Sequence, residues 1–110
     1  NEKVEVKEPL IKITAGELFS QYEENEIKAD GLYKGKLLEV SGVIADIGKD
    51  LFDSPYIGLE TDNQFLSIQC VLADSEESKA ANLSVGQSIV MEGKNSGKII
   101  GIMLKDCIIK

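Results

Sequence analysis

With 110 residues and 43% hydrophobic side chains, the chain can build one core without a metal or a disulfide framework. Nineteen acidic side chains stand against twelve basic ones, every one of them lysine, for a net charge of −7; that balance repels a phosphate backbone and supplies no guanidinium fork for phosphate or guanine. Histidine is absent, which removes the commonest general base and zinc ligand, and no apolar run is long enough to span a bilayer.

Residues 1–13 read as a charged tether or a short edge segment, because Glu and Lys alternate there and large apolar residues are few. Thr14-Ala-Gly-Glu17 is a capping box that opens a helix. The spacing of Leu18, Phe19 and Tyr22 gives that helix one apolar face over Ala15 to Glu24. A second short turn continues to Asp30, with Gly31 and Gly35 ending the helical region.

From Leu37 the period changes to about two. Leu38 to Ile47 reads as a long strand with a bend at Gly42, and Tyr56 to Thr61 as a second strand. Leu66, Ile68, Cys70 and Leu72 alternate with Ser67, Gln69 and Val71 in a third, half-buried strand. Asp74 to Leu83 has helical composition. Ser88 to Lys94 reads as a fourth strand, Asn95-Ser96-Gly97 as a hairpin turn and Lys98 to Ile109 as a fifth strand. Three strands, a short helix and two strands is the order of an OB barrel, a five-stranded Greek-key closure. The expected fold is therefore mainly β with some α content: an OB-type domain over 14–110, an N-terminal helical extension, and a short helix between the third and fourth strands.

Few motifs carry chemistry. Tyr33-Lys-Gly-Lys36, Gly93-Lys94 and Gly97-Lys98 lack the spacing of a phosphate loop and read as turns with solvated lysines. Asp46, Asp50 and Asp53 share one loop region but do not follow the EF-hand pattern. Glu23-Glu24 and Glu76-Glu77 are adjacent in sequence, and neighbours on a helix do not face each other. No cofactor, metal or catalytic residue is expected. Cys70 and Cys107 are too far apart for a CxxC motif. They fall on strands that neighbour each other in an OB barrel, so they form either one disulfide, if the protein is exported, or two buried thiols.

Glu17-Leu18, Tyr22, Asn25, Ala29-Asp30, Tyr33-Lys-Gly-Lys36 and Val40-Ser-Gly-Val-Ile44 resemble the opening of the tRNA_anti-like OB-fold family. The similarity continues through Ile68-Gln-Cys70, Gly86-Gln87, Glu92-Gly93-Lys94 and Leu104-Lys-Asp-Cys107. The resemblance implies an OB fold behind a helical extension, and a bacterial lipoprotein anchored outside the cytoplasmic membrane. The lipidated cysteine would then lie ahead of Asn1, outside this sequence; a precursor without a signal peptide would instead be cytoplasmic.

OB folds bind along the second and third strands and the loops after the first and fourth. The residues that fall there are Lys49, Phe52, Tyr56, Phe65, Lys94, Asn95 and Lys98. The expected function is a non-catalytic binding module engaging a protein or envelope ligand. The alternative is a single-stranded nucleic-acid binder, disfavoured by the charge and the missing arginine. A contiguous lysine stripe in the structure would separate the two.

Overall fold

The computed structural model describes residues 9–110, so residues 1–8 of the tether or edge segment expected over 1–13 lie outside the described residues. The elements run β1 (Ile11–Thr14), α1 (Ala15–Glu24), α2 (Glu26–Tyr33), β2 (Leu37–Lys49), β3 (Pro55–Leu59) and β4 (Ile68–Leu72). A 3-10 turn (Asp74–Glu76), α3 (Glu77–Ala80), β5 (Ser88–Lys98) and β6 (Ile102–Ile109) complete the chain.

The strands are ordered β1-β2-β3-β4-β6-β5, and β2 also pairs with β5, which closes β2 to β6 into a five-stranded barrel. The β4–β6 pair is parallel and the other barrel pairs are antiparallel. This is the OB closure, with the expected first to fifth strands appearing as β2 to β6. The extra strand β1 runs parallel to β2, with Ile11 opposite Leu38 and Thr14 opposite Ser41. The length of β2 allows this arrangement. Its first half lies between β1 and β5, and its second half pairs with β3 from Ile44 onward. The change of partner falls just after Gly42, where a Cβ would come within 3.1 Å of the Ala15 Cβ.

The helical extension follows from its caps. The Thr14 hydroxyl accepts from the Glu17 N–H at 3.1 Å, as the capping box requires. Asn25 closes α1 and opens α2, its side-chain oxygen accepting from the Lys28 N–H at 3.0 Å. Two sequence expectations shift here. α2 runs on through Gly31 to Tyr33, because burial of Ala29 and Tyr33 against the core offsets the cost of about 1 kcal/mol for a glycine inside a helix. Gly35, at φ +78°, is the residue that turns the chain into β2.

The inward residues of every barrel strand form one core. Leu38, Val40, Ile44, Ile57, Leu59, Ile68, Cys70, Met91, Leu104 and Cys107 are fully buried. Ala15, Leu18, Phe19 and Tyr22 of α1 join the same cluster. The segment after β4 is less helical than its composition suggests: α3 has four residues. Glu76 fixes it to the barrel, its buried carboxylate accepting from the Ile109 N–H at 2.8 Å. That hydrogen bond holds the Glu76 carboxyl below the usual range.

The largest correction concerns Asn95-Ser96-Gly97. These residues form no hairpin turn; β5 continues through them to Lys98, and the reversal occurs at Ile99 to Gly101. The register against β6 slips between Asn95 and Gly97, so the segment is a bulge inside the strand. Burial decides the outcome. Asn95 is 1% exposed. Its amide donates to the Tyr22 hydroxyl at 3.0 Å, and its side-chain oxygen accepts from the Gly97 N–H at 3.2 Å. The Tyr22 hydroxyl in turn donates to Asp30 at 2.8 Å. This chain of bonds ties α1 and α2 to β5. Burial and the Asp30 hydrogen bond push the Tyr22 phenol up to about 12.

Candidate ligand-binding groove

Three connections border one groove on the outside of the barrel, and each is shaped by its own polar residues. In the β2–β3 loop, one Asp50 carboxylate oxygen accepts from the Phe52 and Ser54 N–H groups, both at 2.9 Å. Asp53 takes the left-handed conformation at φ 64°, as aspartate tolerates. In the β3–β4 loop, Asn63 accepts from the Phe65 N–H at 2.7 Å, and the Thr61 hydroxyl donates to the Leu66 carbonyl at 2.6 Å. The β5–β6 turn contributes Ile99 and Ile100.

These turns hold their backbones in place and leave their apolar side chains outside. Leu51, Phe52, Phe65, Ile99 and Ile100 are between 75% and 99% exposed. They ring a groove of about 600 Å³ whose lining also includes Lys49, Tyr56, Ser67, Gln69 and Met103. An apolar groove of this volume with a few polar groups has the character of a binding site. Five such side chains around one groove also differ from the single exposed apolar residues common on any surface.

The polar lining of the groove is Lys49, Asp50, Tyr56, Ser67 and Gln69. The Tyr56 hydroxyl donates to Asp46 at 2.8 Å, which raises the phenol above its ordinary value. The backbone of Gly58 leaves room for this cluster: a Cβ there would overlap the Asp46 carboxylate and lie 2.7 Å from the Ser67 hydroxyl. Beyond Phe65 and Leu66 a second cleft is lined by Asp46 and Glu60. The Asp46, Asp50 and Asp53 carboxylates are engaged separately, with Tyr56, the loop amides and Lys49.

The structure gathers four of the seven sequence candidates. Lys49, Phe52, Tyr56 and Phe65 line the groove. Lys94, Asn95 and Lys98 do not. Lys94 lies on β5 opposite Leu37 and Lys105, Asn95 is buried as described, and Lys98 pairs with Glu23 of α1 at 3.4 Å. Lys94 and Lys98 therefore do not join Lys49 along the groove. Lys49 itself faces Asp53 at 3.6 Å and Glu77 at 3.7 Å. Sequence reasoning missed Leu51, Ile99, Ile100 and Met103. The available signal was the Ile99-Ile100-Gly101 run, whose glycine marks a reversal that strand periodicity hides.

A larger concavity, about 840 Å³, lies between the start of α1 and the β2–β5 seam. Its lining is mostly small or aliphatic, including Gly16, Ser41, Gly42 and Ser88, and contains no aromatic ring. Its ammonium, Lys110, is held by Glu92 at 2.8 Å and Glu39 at 3.3 Å. It offers less recognition chemistry than the loop-tip groove.

Comparisons with known proteins agree with the geometry at the level of the fold. No curated protein matches the sequence. Among solved structures, the chain is similar to one described as a "putative nucleic acid-binding lipoprotein" from Klebsiella pneumoniae subsp. pneumoniae, with a TM-score of 0.70 and 18% identity over 90% of this chain and 92% of the other. The tRNA_anti-like family model matches residues 1–108. With the OB closure and the helical extension both in place, the chain belongs to the tRNA_anti-like family.

Proposed function

We propose that this domain is a non-catalytic binding module that works outside the cytoplasmic membrane, as part of a lipoprotein, and takes a protein or envelope ligand in the loop-tip groove. One observation carries the reading: five highly exposed apolar side chains from three loops surround one groove. Burying one large apolar side chain is worth about 1.5–3 kcal/mol, so a partner covering several of them gains useful affinity. The net charge of −7 favours a partner whose apolar contact residues are flanked by lysine or arginine.

The second reading is a single-stranded nucleic-acid binder. The rings of Phe52, Tyr56 and Phe65 on the OB face are the specific observation in its favour, and the similar Klebsiella pneumoniae structure carries that description. Stacking of this kind works beside a basic groove, and here the one lysine of the groove is held between two carboxylates.

Two measurements divide the readings. Fluorescence anisotropy with labelled oligo(dT) and oligo(U) at physiological salt should show no saturable binding. Cross-linking of the purified domain to a detergent-solubilised envelope fraction should give a discrete adduct that Phe52→Ser with Ile100→Ser abolishes. Saturable oligonucleotide binding with a steep salt dependence transfers the assignment to the second reading. An adduct unchanged by the double substitution removes the groove from the first.

A further inference from the structure

Cys70 and Cys107 take no part in the groove, and both are fully buried free thiols on the neighbouring strands β4 and β6. Their placement depends on two departures from regular strand structure. Alternation from Ile102 and Leu104 would send residue 106 into the core and residue 107 outward. A bulge reverses this. Lys105 and Asp106 are both exposed, Asp106 adopts φ 52°, and the β4–β6 register steps from Cys70 opposite Leu104 to Leu72 opposite Cys107.

The second departure lies on the other neighbour of β6. Glu92 pairs with Ile108 and Lys94 with Lys105, so Gly93 alone faces the bulge. A Cβ at Gly93 would overlap the Cys107 sulfur and lie 3.0 Å from the Lys105 carbonyl oxygen. A left-handed aspartate and a position without a side chain thus turn Cys107 inward and make room for its sulfur. The Cys107 and Cys70 thiols are within hydrogen-bonding reach of each other, and that contact, with burial, holds the Cys107 thiol well above its ordinary range. Once folded, Cys107 is held as the thiol, and both sulfurs are shielded from solvent.

We propose that Cys70 and Cys107 are joined by a disulfide in the exported protein, and that the bond forms while the barrel is still closing. The compartment rests on the extracytoplasmic reading above; the pairing rests on the neighbouring strands, the burial of both sulfurs and the contact between them. The thiolate of one cysteine attacks an external disulfide, either glutathione disulfide or a dithiol–disulfide oxidoreductase, and displaces one external thiolate to leave a mixed disulfide. The second cysteine, as thiolate, attacks the protein-side sulfur and releases the other. The protein gives up two protons and two electrons, and the external disulfide becomes two thiols. Closure of β6 against β4 and β5 then buries the bond.

The test is refolding of the reduced, denatured chain in a glutathione redox buffer, followed by denaturing alkylation with N-ethylmaleimide and intact-mass measurement. The expected product has lost two hydrogens, carries no alkyl group, and yields on digestion one linked peptide pair containing Cys70 and Cys107. Refolded monomer that takes up two alkyl groups overturns the pairing. Alkylation trapping of the full-length precursor expressed with its own leader tests the compartment separately. A bridge in the refolded protein with free thiols in the cell overturns the extracytoplasmic reading and leaves the pairing standing.

Discussion

Asn95→Ala should destabilise the protein by about 2–4 kcal/mol, although no sequence pattern marks the position as structural. The substitution deletes the bond to the Tyr22 hydroxyl and the one from the Gly97 N–H. The lost bond to the Tyr22 hydroxyl costs about 0.5–1.5 kcal/mol net, and the Gly97 N–H, left buried without its acceptor, costs about 1–3 kcal/mol. The Tyr22 hydroxyl keeps Asp30 as its acceptor, so the sum stays below the cost of losing the whole network. Urea unfolding followed by far-ultraviolet circular dichroism reads the change, with an unaltered slope expected if only stability moves. A double-mutant cycle with Tyr22→Phe should return a coupling of about 1 kcal/mol. The same network gives a pH signature. The Tyr22 phenol stands at about 12 in the folded chain against an ordinary 10.0. Its contribution is fully present below pH 10.0 and is lost as pH rises from 10.0 towards 12, by an amount of the order of 2 kcal/mol. Tyr22→Phe should lack this component of the alkaline loss. A cost below about 1 kcal/mol for Asn95→Ala, or matching alkaline limbs in wild type and Tyr22→Phe, would refute the clamp between the helical extension and β5.

Thr14→Ala removes the cap on the Glu17 N–H and should cost about 1 kcal/mol in thermal or urea unfolding. Asp106→Val forces a β-branched residue into the left-handed region at φ 52° and should cost about 1–2 kcal/mol or more, whereas Asp106→Gly should be tolerated. The Glu76 carboxyl is held below its ordinary 4.5 by the Ile109 N–H, so its contribution is present above 4.5 and is lost as pH falls through the lowered folded value; Glu76→Gln should flatten the acid limb of the stability profile. Phe52→Ser and Ile100→Ser change highly exposed side chains and should shift stability by no more than about 0.5 kcal/mol, so any loss of partner capture can be assigned to the groove.

Local sequence signals determined the elements and the closure. The capping box at Thr14, the change of period at Leu37 and the helical interruption after Leu72 each depend on residues close together in the chain, where propensity and alternation act directly. The same locality misled at Asn95-Ser96-Gly97, whose composition is that of a turn. The partner that makes Asn95 a buried strand residue is Tyr22, 73 positions away, and nothing nearby announces it. The groove divides in the same way. Lys49, Phe52, Tyr56 and Phe65 were legible because the OB closure assigns a ligand face to particular strands and loops. Ile99 and Ile100 read as strand interior until the register of β5 against β6 moved the reversal onto them. The inward turn of Cys107 needed the bulge at Asp106 and the missing side chain at Gly93 on another strand. Alternation and composition fix which segments pair and which faces are apolar. Bulges, close approaches and buried polar partners arise between segments distant in sequence, and only the packed barrel decides them.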